Sequence, residues 1–233
     1  MNILLTGCNG QLGKAIASKL SSDGNLVIGI DKIERCENLS LHSYHRLDIT
    51  KDLEVREFFN SIHEIDCLIN NAGIGVFTPT LERTVEEFKL VMEVNLLGTF
   101  LMCQQYIKQR VGNGRIVNIA SMYGHISSDY RIYGNSGRNN SEIYSATKAG
   151  VLSLTKYLAV NFAHKGFMIN SVSPGGVFNE QSTDFLENYK LKSPQNRLAQ
   201  SDEIADVVKF LATTAPEHLN GEDIIVDGGF TKW

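Results

Sequence analysis

The stretch Asn2-Ile-Leu-Leu-Thr-Gly-Cys-Asn-Gly-Gln-Leu-Gly13 decides the fold predicted for this chain. It starts with a short apolar run, which predicts a buried strand. Its three glycines then lead into Lys14-Ala-Ile-Ala-Ser-Lys-Leu20, which has helical spacing. Glycines between a strand and a helix permit a tight turn and close approach of a ligand, and the helix N-terminus attracts a pyrophosphate. The stretch therefore predicts a dinucleotide-binding turn, with a purely structural turn as the alternative.

Strands and helices alternate along the rest of the chain. Further strands are predicted over 25–31, 44–50, 66–73, 114–121, 167–173 and 222–227. Helices are predicted over 52–62, 84–110, 141–164, 184–189 and 202–212. Such alternation implies parallel pairing with helices on both faces of one sheet. The predicted fold class is α/β: a single-domain, Rossmann-type, doubly wound parallel sheet of about seven strands.

Composition predicts an ordinary soluble globular protein. The chain has 233 residues, of which 42% are hydrophobic and 21% charged, enough for a substantial core. The net charge of -4 argues against a nucleic-acid or anionic-membrane surface. No segment approaches the ~18 uninterrupted apolar residues of a membrane span, and the short N-terminal run does not resemble a signal peptide.

Cysteine and histidine usage points to neither disulfides nor metal. The cysteines (Cys8, Cys36, Cys67 and Cys103) are scattered, without a C-x-x-C pair. We interpret them as reduced thiols in a cytoplasmic protein. The six histidines form no ligand-spaced cluster, so no metal site is expected.

An acidic residue closes the second predicted strand. Asp31 lies about 20 residues beyond the glycine turn, where a carboxylate can hydrogen-bond the ribose of an adenosine. Its charge would repel the extra phosphate of NADP, although Lys32 or Arg35 could accept such a phosphate. The sequence favours NAD over NADP, with a solvated acid at a strand end as the alternative.

Tyr144 and Lys148 share one face of the helix predicted over 141–164, because they lie four residues apart. An unperturbed phenol, with a pKa of ~10, is a poor acid or base at neutral pH. A nearby cation lowers that pKa. Ser121 stands at the predicted carboxyl end of a strand, where ligand crevices form. Alone, the Tyr-x-x-x-Lys pattern is weak evidence for a catalytic site, and the alternative is that both residues are exposed side chains without a catalytic role.

Asn95 lies inside the helix predicted over 84–110, although asparagine has a poor helix propensity. Three interpretations stay open. The side chain faces solvent, makes a hydrogen bond in the core, or disrupts the helical hydrogen bonds for a functional reason.

These pieces, taken in order, resemble the short-chain dehydrogenase/reductase family over essentially the whole chain. The matching segments are Thr6-Gly-x-x-Gly-x-x-Gly13, Asn70-Asn-Ala-Gly73, Asn95, Ser121, Tyr144-x-x-x-Lys148, Ser173-Pro-Gly175 and Val226-Asp-Gly-Gly229. The resemblance implies an NAD(P)-dependent oxidoreductase that transfers hydride between the cofactor and a carbonyl or secondary alcohol. It also implies a homo-oligomer, a tetramer first and a dimer second, assembled through the helices that start near residues 84 and 141.

The resemblance further implies a role for each site residue. Tyr144 exchanges a proton with the substrate oxygen, and Ser121 hydrogen-bonds that oxygen. Lys148 lowers the pKa of Tyr144 and holds the nicotinamide ribose, while Asn95 anchors a water. The implied cofactor contacts are Gly7, Asn9, Gly10, Gln11, Leu12, Gly13, Asp31, Asp48, Ile49, Asn71, Ala72, Gly73, Tyr144, Lys148, Pro174, Gly175 and Val177.

The segment between Ser121 and Tyr144 departs from the family pattern. The two residues lie 23 positions apart, so residues 124–141 form an insertion that we expect beside the substrate. A second substrate loop is expected over 177–198. The insertion and the chain's ending resemble bacterial members associated with surface-carbohydrate biosynthesis. The resulting hypothesis is a phosphorylated sugar or sugar nucleotide, contacted by Ser121 and Tyr123, with Arg131 or Arg138 at the phosphate. The alternative is that these arginines only pin the loop.

Two other functions use the same nucleotide-binding fold. A sugar-nucleotide epimerase with tightly held NAD returns its hydride and leaves no net oxidation. A sensing module keeps the fold without catalysis. A dehydratase is disfavoured, because Met122 and Tyr123 follow Ser121 where an Asp-Glu pair is expected.

Overall fold

A computed structural model of the chain describes residues 1–34, 39–134, 136 and 139–233. In this part of the chain, seven strands pair in parallel in the order β3-β2-β1-β4-β5-β6-β7. They are β1 (Asn2–Thr6), β2 (Leu26–Asp31), β3 (Ser43–Arg46), β4 (Cys67–Asn70), β5 (Gly114–Ile119), β6 (Phe167–Pro174) and β7 (Asp223–Val226). The predicted doubly wound parallel sheet is confirmed. β3 is shorter than expected and ends before Asp48.

The helices alternate with the strands, as predicted. They are α1 (Gln11–Ser22), α2 (Asp52–Ser61), α3 (Val85–Met92), α4 (Thr99–Gln109), α5 (Glu142–Phe162), α6 (Thr183–Lys192) and α7 (Ser201–Lys209). The helix predicted over 84–110 is present but irregular, because the π-helical turn Glu93–Gly98 joins α3 to α4. None of the described helices is both long and apolar enough to cross a bilayer.

Alternating side chains on the strands build a separate core on each face of the sheet. Successive residues of a strand point to opposite faces. Leu4 therefore packs with apolar residues of α2, α4 and α5, whereas Ile3 and Leu5 pack with those of α1 and α7. All three side chains are fully buried. Complete burial of such a side chain stabilises the fold by roughly 1.5–3 kcal/mol.

The strand order reverses at β1, between β2 and β4, and hydrogen bonds join the ends of β1 and β4 there. The Thr6 hydroxyl accepts from the backbone N–H groups of Asn71 and Ala72, at 3.1 and 3.0 Å. The Asn71 side chain donates to the carbonyl oxygens of Thr6 and Gly7, at 3.1 and 2.9 Å. These bonds fix the floor of the crevice that a doubly wound sheet opens at its switch point.

The insertion over 124–141 packs on a third, smaller apolar cluster. Its turn Tyr130–Tyr133 contributes Ile132, which is buried with Tyr189 of α6 and with Phe230. Three insertion residues, including Arg138, lie outside the described residues, as do Arg35 and Cys36. The described part of the insertion is thus held against α6 by apolar contacts.

Candidate active site

The carboxyl ends of the strands open into a cavity of about 580 Å³. This is the crevice in which doubly wound sheets bind their ligands. It gathers residues from the turn after β1 through to the loop after β6. The predicted site residues that line it are Gly7, Gly10, Gln11, Leu12, Asp31, Asp48, Ile49, Asn71, Ala72, Gly73, Ser121, Tyr123, Tyr144, Lys148, Pro174, Gly175 and Val177.

Four other predicted residues lie behind or beside the cavity wall. Asn9, Gly13 and Asn95 do not line the cavity, and neither does Arg131. The first three support lining residues through packing or hydrogen bonds, as described below. The predicted contact with Arg138 lies outside the described residues.

At the glycine turn, backbone segments lie so close to one another that there is no room for side chains at Gly7 and Gly13. A Cβ on Gly7, whose φ is +65°, would lie 2.7 Å from the Ala72 Cα, and one on Gly13 would lie 2.2 Å from the Gly7 oxygen. Gly10 is the N-cap of α1 and makes no side-chain cap. The first N–H groups of α1 therefore face an open cradle, which fits a pyrophosphate.

Two carboxylates lie at the far end of the cavity from Tyr144. Asp31 accepts a hydrogen bond from the backbone N–H of Asn9 at 3.1 Å, which holds the carboxylate beside the glycine turn. Asp48 accepts from the backbone and the hydroxyl of Thr50, at 3.0 and 2.8 Å. Lys32 also lines this end. The arrangement suits the adenosine half of a dinucleotide, with Asp31 placed for a ribose diol.

The loop after β6 is tied to the glycine turn. The Gln11 side chain donates to the Phe178 carbonyl oxygen and to the Ser201 hydroxyl, the latter at 3.0 Å. Val177 pairs with Ala199 in an isolated bridge. The start of the predicted loop over 177–198, which also contains α6, is therefore tied to the glycine turn.

Tyr144 is presented by the first turn of α5. The Ser141 hydroxyl caps this helix by accepting from the Tyr144 backbone N–H at 3.2 Å. The Ser121 hydroxyl accepts from the Tyr123 N–H at 3.1 Å and faces the same cavity. Burial raises the pKa of Tyr144, and the hydrogen bond with the Ser121 side chain opposes that rise. The phenol is consequently held in its protonated form at neutral pH.

Lys148 lies one turn further along α5 and is almost completely buried. Its Nζ donates to the Ile119 carbonyl oxygen at 2.7 Å and lies 5.6 Å from the centre of the Tyr144 ring. Burial lowers the pKa of Lys148 to about 8. The net pKa of Tyr144 nevertheless shifts upward in this cofactor-free site, and Lys148 is not among the causes of that shift. Loss of hydration disfavours the charged form of each group.

Asn95 sits in the π-helical turn and is 1% exposed. Its Oδ1 accepts from the Ile74 N–H at 2.8 Å, and its Nδ2 donates to the Ile74 oxygen and the Thr147 hydroxyl, at 2.9 and 3.2 Å. Gly73 lies between Asn95 and Lys148, since a Cβ there would lie 3.5 Å from the Asn95 Oδ1 and 3.4 Å from the Lys148 Nζ. Two of the three interpretations of Asn95 therefore apply: its side chain makes hydrogen bonds in the core, and it lies where the helix is irregular. The third interpretation, a side chain that faces solvent, is excluded.

Arg131 does not reach the cavity. Its guanidinium forms hydrogen bonds to both carboxylate oxygens of Asp129, the shortest 2.7 Å, and its side chain is 66% exposed. Lys192 of α6 reaches the same carboxylate at 3.1 Å. Hydrogen bonds from Arg131 and then Lys192 hold the pKa of Asp129 well below its usual range. The placement of Arg131 favours the alternative interpretation, in which this arginine only holds the insertion in place and does not contact a substrate phosphate.

Several lining residues were not singled out from the sequence. Phe77, Tyr133, Phe185 and Tyr189 form an aromatic wall on the Tyr144 side, and Asn140 lies in the same wall. They come from three segments that are distant in the sequence: the loop after β4, the insertion and α6. The insertion predicted a substrate side, but not which of its residues would face inward. Among the described residues, no group of three or more His, Cys, Asp or Glu side chains could hold a metal.

Comparison with known proteins places the chain among reductases and dehydrogenases. Residues 9–231 match a family model described as Enoyl-(Acyl carrier protein) reductase. The chain is 33% identical to the 3-oxoacyl-(acyl-carrier-protein) reductase FabG of Aquifex aeolicus over 248 residues, covering 97% of this chain and 95% of that protein. It is 31% identical to the D-threitol dehydrogenase of Mycolicibacterium smegmatis over 248 residues, covering 98% and 92%.

A solved structure agrees with the fold closely. The short-chain dehydrogenase of Leptospira borgpetersenii serovar Hardjo-bovis, solved with bound NAD+, superposes with a TM-score of 0.93. The two chains are 38% identical, and the match covers 99% of this chain and 92% of that one.

Replacing Lys148 with methionine should change how stability depends on pH. The pKa of Lys148 falls from 10.5 to about 8 on folding. Between these pH values the folded chain binds fewer protons than the unfolded chain, so stability rises with pH. Below pH 8 the Lys148 ammonium is charged in both the folded and the unfolded chain, so the full free-energy cost of burying it lowers the stability of the fold. We expect the free energy of unfolding of the parent chain, relative to Lys148→Met, to rise by on the order of 3 kcal/mol from pH 7 to pH 10.5.

Denaturant unfolding across this pH range, without cofactor, checks the prediction. Lys156→Met is the matched control, because Lys156 is an exposed lysine of the same helix. The difference in free energy of unfolding between the parent and Lys156→Met should stay constant across this pH range. Parallel curves for the parent and Lys148→Met would contradict the assigned burial of the charge.

Proposed function

The chain belongs to the short-chain dehydrogenase/reductase family of oxidoreductases, and we propose that it transfers hydride between NAD(P) and a carbonyl or secondary alcohol. One observation carries this proposal. Ser121, Tyr144 and Lys148 line the same cavity as the glycine cradle and Asp31. A dinucleotide laid from Asp31 along the cradle would therefore end at the tyrosine.

The proposed chemistry follows from the protonation of the site. When bound, the nicotinamide cofactor supplies or accepts the hydride. Tyr144, kept protonated by burial, donates its proton to the carbonyl oxygen during reduction, and Ser121 hydrogen-bonds that oxygen. Lys148 holds the nicotinamide ribose, while Asn95 fixes the backbone beside both groups. Burial raises the pKa of Tyr144, so the phenol keeps its proton in the cofactor-free site, which is the protonation state that reduction requires.

We propose NAD as the preferred cofactor, with NADP as the alternative. The Asp31 carboxylate lines the adenosine end of the cavity. A second phosphate placed there would meet a like charge. Lys32 lines the same end and is exposed, and so it offers partial compensation.

The substrate hypothesis of a phosphorylated sugar or sugar nucleotide now depends on Arg138, which lies outside the described residues. Arg131 is bound by Asp129 and points elsewhere. The two relatives named above act on a 3-oxoacyl group and on a tetritol, which widens the classes worth testing. We retain the insertion over 124–141 and the loop over 177–198 as the substrate side of one NAD(P)-binding domain.

Epimerase and sensing functions remain the alternatives to net oxidation. The relatives' names favour a dehydrogenase or reductase. An epimerase would leave NADH absorbance unchanged at steady state, and a sensing module would bind the dinucleotide without turnover.

Replacing Tyr144 with phenylalanine should remove turnover and leave cofactor binding intact. The change deletes the proton donor but keeps the ring. We expect activity to fall by about 10²–10⁴-fold, the range for losing one acid or base. The measurement follows NADH and NADPH absorbance with phosphorylated sugars, sugar nucleotides, polyols and 3-oxoacyl thioesters. Retained turnover would mean that another group transfers the proton.

Replacing Asp31 with asparagine should shift preference toward NADP. The amide oxygen can still accept from the Asn9 N–H, so the turn keeps its shape while the charge is lost. We expect the ratio of kcat/KM for NADP over NAD to rise about tenfold or more, equivalent to about 1.4 kcal/mol. Asp52→Asn is the control, because Asp52 at the start of α2 has the same charge and does not line the cavity. An unchanged ratio in Asp31→Asn would refute the repulsion.

We also propose a homotetramer, with a dimer as the alternative, in the cytoplasm. Phe88, Phe100 and Val160 of α3, α4 and α5 are 44%, 38% and 77% exposed, which favours a covered helical face. Two other apolar residues of this region do not belong to the exposed face, because Leu158 is buried in the core and Phe162 packs against it.

Val160→Glu should shift sedimentation at micromolar concentration toward smaller species, because a charge at a covered apolar site costs association energy. Leu191→Glu is the control, since Leu191 is 80% exposed on α6, outside these three helices. A parent chain that sediments as a monomer would overturn the proposal.

A further inference from the structure

Asn140 is fixed beside Tyr144 and lines the cavity, although it is only 7% exposed. Its carbonyl oxygen accepts from the Ser128 hydroxyl at 3.3 Å. The next residue, Ser141, caps α5 through the Tyr144 N–H. Asn139, on the other side, donates its N–H to the Phe77 carbonyl oxygen at 3.4 Å. The backbone of Asn140 is thus held from both sides, one turn before the tyrosine.

The amide of Asn140 is left unsatisfied. Its Nδ2 is buried and finds no hydrogen-bond partner within the described part of the chain. A buried unpaired donor costs roughly 1–3 kcal/mol, and native folds retain few of them. The last torsion of asparagine is broad, so the amide can turn its N–H toward the cavity when an acceptor arrives. A ligand oxygen would supply the missing partner.

Three other polar side chains that line this cavity already have partners in the protein. The Tyr189 hydroxyl accepts from the Gly176 N–H at 2.7 Å. The Gln181 amide donates to the Val177 oxygen at 2.7 Å. The Tyr123 hydroxyl is hydrogen-bonded with Tyr133. Of these groups, the Asn140 amide has the free capacity to recognise a substrate atom.

The surroundings of Asn140 favour an uncharged group. The described aromatic side chains on this side, Phe77, Tyr133 and Phe185, carry no charge, and the Lys148 ammonium is engaged by Ile119. A carboxylate or phosphate would lose its hydration there and gain one neutral amide. A hydroxyl or carbonyl oxygen suits the site better, because an amide can both donate to it and accept from it.

We propose that Asn140 binds a neutral hydroxyl or carbonyl oxygen next to the reacting carbon, so that the substrate is a hydroxy ketone or the corresponding diol. The inference rests on the oxidoreductase function proposed above and specifies its substrate class. In the reduction, hydride passes from NADH to the carbonyl carbon and the Tyr144 proton passes to its oxygen. The neighbouring oxygen, held by Asn140, fixes which face of the carbon meets the hydride.

A pair of probes isolates this contact. Acetoin and butan-2-one share the methyl ketone and the four-carbon chain, but only acetoin has a neighbouring hydroxyl. We expect the wild type to prefer acetoin, and Asn140→Leu to reduce the acetoin-to-butan-2-one ratio of kcat/KM about tenfold, as for one lost hydrogen bond. Comparing ratios cancels the intrinsic reactivity of the two ketones. NADH affinity should be the same in both proteins, which shows that the fold is kept.

Asn139→Leu is the matched control, because Asn139 lies in the same segment without lining the cavity. Its ratio should stay near that of the wild type. An unchanged ratio in Asn140→Leu, an equal loss in both variants, or a wild type that prefers ketones without a neighbouring oxygen would each overturn the inference. Absence of turnover with every ketone and alcohol offered would instead mean that the proposed oxidoreductase function has failed.

Discussion

The shape of the site depends on how closely the ends of β1 and β4 approach each other. Thr6 uses one hydroxyl to hold two consecutive N–H groups of the β4 end, and Asn71 returns two bonds to the β1 end. This contact is possible only because Gly7 has no Cβ, which would lie 2.7 Å from the Ala72 Cα. A wider junction would separate the glycine cradle from the loop that carries Gly73. The two halves of the cavity would then no longer face one ligand.

The π-helical turn at Asn95 transmits that arrangement to the helix carrying the tyrosine. One side chain bonds the backbone of Ile74, just after β4, and the hydroxyl of Thr147 on α5. An extra residue in a helix interrupts the regular hydrogen bonds, and such turns occur frequently at functional sites. Three hydrogen bonds from Asn95 compensate for the irregular turn. These bonds hold Tyr144 in position relative to the glycine turn, because they fix both the segment after β4 and the helix α5.

Burial then determines the charge state of the site. Lys148 is 4% exposed, and the pKa shifts of Lys148 and Tyr144 both favour the neutral form. The phenol beside Ser121 therefore keeps its proton in the cofactor-free site, and loss of hydration disfavours the lysine charge. The aromatic wall around Asn140 extends the same low-polarity environment along the cavity. The recognition proposed there relies on shape and single hydrogen bonds rather than on ion pairs.

The sequence by itself determined the sheet and the helices, because these follow from local periodicity and from glycines at fixed spacing. The same local signals singled out Ser121, Tyr144 and Lys148, which the fold brings into one cavity. The tertiary structure alone decided the rest. It showed that Arg131 pairs with Asp129 instead of facing the cavity, that burial raises the pKa of Tyr144, and that Asn140 lies in the cavity wall. Contacts between distant segments and the loss of hydration on burial have no signature in local sequence, so they became visible only once the chain was folded.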